Sequence, residues 1–393
     1  MFFVRSNAMK IIIAPTSFKG TLSSRQTAAV MAEAAHEIFP DAEILPVPLS
    51  DGGEGTTETL VELSQGQYRT SIVAGPLPGQ KVEARWGVLG DKETAVLEMA
   101  SAAGLSLIPS SKCDPRITTT FGVGQLITHA LNAGMRQIIL GLGDSGTNDG
   151  GAGIVQALGV RLLDANGHEL PQGGVALLQL DKIDVSNLDP RIPNTKIILA
   201  CDVTNNLWGP EGASVVFSPQ KGASMEDVGI LDNALFQYGS IIRRDLGINV
   251  LQLPGSGAGG GAAAGLVAFC NAELRRGIEL ILDIVNFNSL IENATIVLTG
   301  EGKLDYQTQF GKVIHGVLSH TNRRGIPTIA VVGTTEENPE DIALKMHLNA
   351  VHRLIDEVGE TDAIKDPKES LRRTTIHALQ KFTNDTHLKL RKE

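Results

Sequence analysis

The sequence predicts an α/β protein of two domains, with the outer one discontinuous and the middle one inserted into it. Three observations carry this. At 393 residues the chain is longer than one ordinary core accommodates. Near both ends, short β-branched runs alternate with helical stretches, as parallel sheets require. From residue 68 to 97 the texture changes to alternating runs between turn signals such as Gly75-Pro76 and Gly90-Asp91, the mark of antiparallel hairpins. The boundaries that follow are an outer domain of residues 9–70 and 286–393 and an inserted domain of residues 71–285.

The elements can be justified in order. Residues 1–8 carry Arg5 and Asn7 and make neither a signal peptide nor a membrane span; they read as a tag remnant or upstream extension. Residues 10–15 (KIIIAP) are a strand and residues 17–21 a loop. Ser23 is placed to cap a helix, with Gln26 completing a capping box, and Pro40 stops that helix. A strand at 42–49 ends on the loop 50–56, before a helix at 57–63. Hairpin strands at 70–73, 82–88 and 93–97 precede a helix at 120–133.

Next comes RQIILGLGDSGTNDGGAGIVQALG, residues 136–159: an apolar strand at 138–140, a glycine-rich loop, and an apolar helix face. Residues 160–163 are a strand ending in the turn 164–167, and 196–200 a strand ending on 201–205. Residues 212–222 read as a short strand and turn, followed by a helix at 226–243. The segment 255–265, nearly all Gly, Ala and Ser, reads as close helix packing because an apolar helix continues from it. A strand at 296–298 leads into the loop 299–305, then come a helix at 311–323, a strand at 328–332, and helices to the end.

Composition narrows the function. A net charge of −10 without a basic run argues against nucleic acid. With 42% hydrophobic and 20% charged residues and no apolar span, the chain reads as soluble, with no membrane partner. Cys113, Cys201 and Cys270 form no CxxC pair and suit reduced thiols of a cytoplasmic protein. None of the nine histidines has metal-ligand spacing; His315 and His320 read as ordinary helix residues.

The chemistry concentrates at strand ends. Strand, glycine-rich loop and helix together form a site for phosphate, because glycine lets the backbone approach and a helix start offers N–H groups. Asp144 and Asp149 in that loop would repel a bare phosphate, so a hard cation such as Mg²⁺ is implied. Three further strands end near an acid: Leu49 before Asp51, Ala200 before Asp202, and Leu298 before Glu301 and Asp305. Ligands of open α/β sheets gather at such ends. Lys19, Lys303 and Lys312 are candidate partners for anionic groups.

The GxxxxGK[ST] signature is absent, with Tyr306 where its first glycine belongs. GxGxxG occurs at Gly141, Gly143 and Gly146, with Asp164 about twenty residues on, which would suit an NAD-dependent dehydrogenase. It also occurs at Gly255, Gly257 and Gly260, so in this glycine-rich chain it discriminates weakly. A non-catalytic organic-acid-binding protein is a third class.

Six motifs in order then point to a family. APTSFKGTL (14–22), PLSDGGEGT (48–56), GLGDSGTNDGG (141–151), CDVTN (201–205), FSPQKGA (217–223) and LTGEGKLD (298–305) together resemble the bacterial glycerate kinase type-1 family. The resemblance implies a discontinuous Rossmann-like parallel-sheet domain with a second α/β domain inserted. It also implies transfer of the ATP γ-phosphoryl group to D-glycerate, generally giving 2-phosphoglycerate, with a 3-kinase as the alternative. Two departures stand out: Thr16 where the family usually has Asp, and GDSGTNDGG in place of GGSATNDGG.

On this reading Ser17 and Lys19 hold the glycerate carboxylate. Asp51 orients or deprotonates the hydroxyl, with Asp202 the second candidate for that base. Asp149, with Glu301 or Asp305, holds Mg²⁺. Gly143, Ser145, Thr147, Asn148 and Gly150 of the loop, together with Lys303, contact the nucleotide. Small molecules are the expected partners, and oligomeric state is not legible in the sequence.

Overall fold

The computed structural model describes residues 9–18, 20–50, 53, 55–304 and 313–390, the last six by their backbone. The chain divides into two compact units, one of Met1–Asp51 with Ile278–Glu393 and one of Gly52–Gly277. Strand β1 (Lys10–Ile13), a helix at Ser24–Ile38 and β2 (Glu43–Pro46) open the first unit. The expected capping box is present: Gln26 N donates to Ser23 Oγ at 3.2 Å, and Ser23 N to Gln26 Oε1 at 3.0 Å. The second unit carries β3 (Gln67–Ala74), β4 (Lys81–Val88), β5 (Thr94–Glu98), β6 (Gln137–Gly141), β7 (Arg161–Leu163), β8 (Lys182–Asp184), β9 (Lys196–Ala200) and β10 (Glu273–Arg275). The first unit then resumes with β11 (Ile296–Leu304), β12 (Thr328–Thr335) and β13 (Ala350–Arg353).

The first unit is a parallel sheet in the order β13-β12-β11-β1-β2. Winding starts at β1, goes to β2, then jumps back to β11 and continues outward. The order therefore reverses between β1 and β11, and doubly wound sheets bind ligands at such a switch point. Ile11, Ile13, Leu298 and Val331 of the strands pack with Met31 of the Ser24–Ile38 helix and with Leu371 and Leu379 of the helix Pro367–Leu390.

The second unit holds a six-stranded sheet, β10-β9-β6-β5-β4-β3, in which β10, β9, β6 and β5 run parallel. The β3–β4 and β4–β5 pairs are antiparallel, the hairpin texture read at 68–97. β7 and β8 form a separate antiparallel ribbon. Ile138 and Leu140 of β6, Leu97 and Leu199 are fully buried with Val123, Leu126 and Ile127 of the helix Phe121–Asn132.

Several expectations need correction. The units divide at 51/52 and 277/278 rather than at 70/71 and 285/286. The helix Thr56–Leu63 belongs with the second unit because Val61 lies so close to Gly87 of β4 that a Cβ there would come within 2.2 Å of it. Residues 212–222 are a helix, Ala213–Phe217, and a 3-10 turn, Pro219–Lys221, rather than strand and turn. Val215 and Val216 suggested a strand but are 38% and 44% exposed, while the polar Ser214 and Lys221 point inward and fix the segment. β11 runs six residues beyond 298, because β12 pairs with it through Leu304. β8, β10 and β13 were not anticipated.

Candidate active site

In the second unit, β6 ends at Gly141 between β5 and β9, and the glycine-rich loop leaves from the middle of the sheet. Gly143 passes against Gly53, whose Cα would lie 2.9 Å from a Cβ at Gly143, so the two meet backbone to backbone. Asp144 is exposed and adopts a left-handed φ of 56°, a conformation that glycine reaches freely. Ser145 is 7% exposed; Thr147, Asn148 and Asp149 are fully buried.

Asp149 has both carboxylate oxygens engaged by the protein. Oδ2 accepts from Thr120 N at 2.8 Å, Thr120 Oγ1 at 2.9 Å and Gly153 N at 3.2 Å, and Oδ1 accepts from Gly151 N at 3.1 Å. Thr120 Oγ1 in turn accepts from Ile154 N at 3.1 Å. The amides at the start of the helix Ala152–Ala157, expected to face a phosphate, are thus satisfied within the chain: Gly151 N and Gly153 N by the Asp149 carboxylate, Ala152 N by the Asp149 carbonyl and Ile154 N by Thr120 Oγ1. Burial pushes the Asp149 carboxyl above its usual range, and these donors oppose that shift.

Lys221 is the buried cation of the site. It is 2% exposed, and Nζ donates to the Thr147 carbonyl at 2.7 Å and to Ser145 Oγ at 3.0 Å. Burial pushes its ammonium down to about 7, while the Asp149 carboxylate pulls the other way. From the same segment, Ser214 Oγ accepts from Asn148 Nδ2 at 2.9 Å. Thr147 Oγ1 and Asn148 Oδ1 are buried and have no hydrogen-bond partner among the described residues.

The second glycine-rich segment lies directly on the first. Gly150 N donates to the Gly260 carbonyl at 3.0 Å, and a Cβ at Gly260 would sit 2.0 Å from the Thr147 carbonyl oxygen. Gly259, Gly260 and Gly261 all have left-handed φ before the helix Ala262–Cys270 begins. The segment is therefore packing rather than linker. Asp202 follows β9, the neighbour of β6, and is exposed; its Oδ1 accepts from Gly277 N at 3.0 Å.

In the first unit, Ser17 follows β1 and Glu301 lies on β11, so the two flank the switch point. Thr16 N donates to the Gly300 carbonyl at 2.9 Å, which ties the two strand ends together. Glu301 is 6% exposed. Lys303 is half exposed, and its Nζ pairs with Glu336 Oε1 at 2.7 Å. Glu301 and Lys303 were expected on a loop but sit within the strand.

Lys19, Asp51 and Asp305 lie outside the described residues. Among the described residues no group of three or more His, Cys, Asp or Glu is arranged to hold a metal. Lys221 was missed as a site residue; its one sequence signal was its place in FSPQKGA. Asp164, named above as suiting a dehydrogenase, accepts from Asn166 N at 2.8 Å and His168 N at 2.9 Å in its own turn on the separate ribbon.

Comparison with known proteins gives consistent matches. The glycerate kinase family model matches residues 11–383. A glycerate 2-kinase of Escherichia coli (strain K12) is 46% identical over 354 residues, covering 90% of this chain and 92% of that protein. A glycerate kinase of Halalkalibacterium halodurans is 43% identical over 361 residues, 92% of this chain and 94% of that one. A crystal structure of a Salmonella typhimurium LT2 protein assigned as glycerate kinase 2 matches with a TM-score of 0.86 at 45% identity, covering 97% of this chain and 100% of that chain.

Proposed function

The chain belongs to the glycerate kinase family, phosphotransferases acting on a hydroxy acid, and on that premise we propose that it transfers the γ-phosphoryl group of ATP to D-glycerate, giving 2-phosphoglycerate. The observation that supports this reading most is the inner face of the 143–148 loop. A buried ammonium, Lys221, stands beside two buried oxygens, Thr147 Oγ1 and Asn148 Oδ1, that lack partners among the described residues. Two unpartnered oxygens beside a positively charged loop suit a phosphate with a hard metal ion, whereas an apolar ligand would leave both oxygens uncompensated. Lys221 is already satisfied by the Thr147 carbonyl and Ser145 Oγ and adds its charge to the loop. When bound, Mg·ATP supplies the electrophilic phosphorus and an ion that neutralises phosphate charge.

The residues of this chain would then divide the work. Gly143, Ser145, Thr147, Asn148 and Gly150 form the loop toward the phosphates, with Lys303 adding charge once it is released from Glu336. Asp149 holds the loop to the helix that follows; its committed lone pairs favour this over metal ligation and leave Glu301 and Asp305 as the metal candidates. Ser17 and Lys19 bind the glycerate carboxylate. Asp51 or Asp202 accepts the hydroxyl proton, and an aspartate at that point raises the nucleophilicity of the oxygen as it meets phosphorus. Such transfers depend on positioning and charge neutralisation more than on covalent help.

No helix among the described residues is long and apolar enough to cross a membrane. The proposed setting is the cytoplasm, with small molecules as the partners. The test is ADP release from ATP with D-glycerate, with and without Mg²⁺, and ³¹P NMR of the product. Metal-dependent release and a 2-phosphate are expected. A 3-phosphate would overturn the regiochemistry, and absence of release across a hydroxy-acid panel would overturn the reaction.

A further inference from the structure

A lysine is rarely buried without a task, because removing an ammonium from water is costly unless its donors are matched. Lys221 is one of the largest fully buried side chains of the protein, and it reaches the loop from a segment 76 residues away in sequence. The chain around it is shaped to hold it there. The 3-10 turn Pro219–Lys221 ends on Gly222, whose φ of 99° suits glycine and where a Cβ would meet the Cys113 carbonyl oxygen at 2.4 Å. Ser214, seven residues earlier in the preceding helix, fixes Asn148. Four consecutive loop residues, 145–148, are therefore fastened from behind at three of their positions by one segment.

The donors also decide which way the loop faces. By drawing the Thr147 carbonyl inward, the ammonium occupies an acceptor that would otherwise repel an incoming phosphate, and by donating to Ser145 Oγ it leaves the hydroxyl hydrogen of Ser145 to be donated elsewhere. It places a positive charge behind the backbone instead. A methionine of similar length would fill the same volume and supply neither effect.

We propose that Lys221 is a positioning residue for nucleotide binding, acting through Ser145 and Thr147 and through its charge. This rests on the reading of the 141–151 loop as the phosphate site. The charge is what separates the role from simple packing.

The experiment measures Mg·ADP affinity by titration calorimetry, together with ATP and D-glycerate KM values, for wild type, Lys221→Met, Lys221→Ala and Ser145→Ala. Lys221→Met should weaken Mg·ADP binding and raise the ATP KM by tenfold or more, with D-glycerate KM within about twofold. Propylammonium added to Lys221→Ala should restore nucleotide affinity, and propanol of equal size should not. Ser145→Ala, which keeps the lysine and its second acceptor, should weaken binding several-fold and covers the case in which the lysine variants do not fold. Unchanged Mg·ADP affinity in a folded lysine variant or in Ser145→Ala, or equal rescue by propanol, would overturn the proposal. Wild type that binds Mg·ADP but shows no glycerate-dependent turnover would instead count against the function reading, and the affinities would still decide the part played by Lys221.

Discussion

Gly260→Ala tests the contact between the two glycine-rich segments. Two separate terms act there. The φ of 66° at Gly260 is left-handed, which costs a residue with a Cβ about 1–2 kcal/mol. The new Cβ would also lie 2.0 Å from the Thr147 carbonyl oxygen and 2.9 Å from Asn148 Cα. Both are backbone atoms, so no rotamer change relieves them. The segments would have to part by roughly 1 Å, weakening the Gly150 to Gly260 hydrogen bond, worth about 1 kcal/mol. With an overpacking term of about 1–3 kcal/mol, the expected loss is about 3–6 kcal/mol.

Gly167→Ala is the control. It has φ 80° with nothing within 4 Å of the new Cβ, so it carries the backbone term alone, about 1–2 kcal/mol. Urea unfolding of both variants at matched m-value gives the two losses, and their difference isolates the contact. The ATP KM should rise only in Gly260→Ala. A Gly260→Ala variant within about 1 kcal/mol of Gly167→Ala would refute the argument that the two backbones touch.

Three further outcomes follow from the same geometry. In the folded protein without nucleotide, burial pushes the Lys221 ammonium down to about 7, whereas the unfolded chain keeps it toward the ordinary 10.5; a phosphate at the loop would favour the charged form again. Between those values the unfolded state binds more protons, so unfolding free energy should rise with pH by up to ~1.4 kcal/mol per unit from this group. Urea unfolding at pH 7 to 9 should show this slope in wild type and lose it in Lys221→Met; parallel profiles would contradict the burial of a titrating ammonium. Tyr238 is fully buried, and its hydroxyl has no partner among the described residues, so Tyr238→Phe should be neutral or stabilising by about 1–2 kcal/mol by thermal melting. A marked loss would mean that the hydroxyl is hydrogen-bonded. Gly146→Ala would bring a Cβ within 2.6 Å of Ile108 Cδ1 and 3.0 Å of Leu105 Cα and should cost about 1–3 kcal/mol by the same melts; wild-type stability would show that the 105–108 turn yields.

Much of this architecture is legible in the residues, for identifiable reasons. Ile138, Ile139 and Leu140 are a buried run followed at once by glycines, and both signals are local. Ser23 and Gln26 form their capping box within four residues. Asp149 is different: its principal donor, Thr120, lies 29 residues upstream, so an acid that looked available for a metal proves to be spoken for. Lys221 was hidden by its neighbours, since Val215, Val216 and Phe217 read as a strand while the buried contacts of Ser214 and Lys221 impose a helix and a turn. Thr299 to Lys303 has turn composition, yet pairing with β12 keeps it extended and carries Glu301 and Lys303 on a strand.

The placement of β1 between β2 and β11 has a consequence for synthesis on the ribosome. Lys10 N bonds Thr295 Oγ1 across 285 residues of sequence, so β1 has only β2 beside it until β11 emerges. At about 5–20 residues per second that wait is roughly 15–60 s. During it, Ile11, Ile12 and Ile13 sit on an open sheet edge, the kind of surface that nucleates aggregation. The contiguous 52–277 unit can fold meanwhile, since its sheet draws every strand from within that span. Nascent chains halted before residue 296 should therefore carry a finished middle and a sticky amino end, and these would be the natural clients of a chaperone that captures strands as they leave the tunnel.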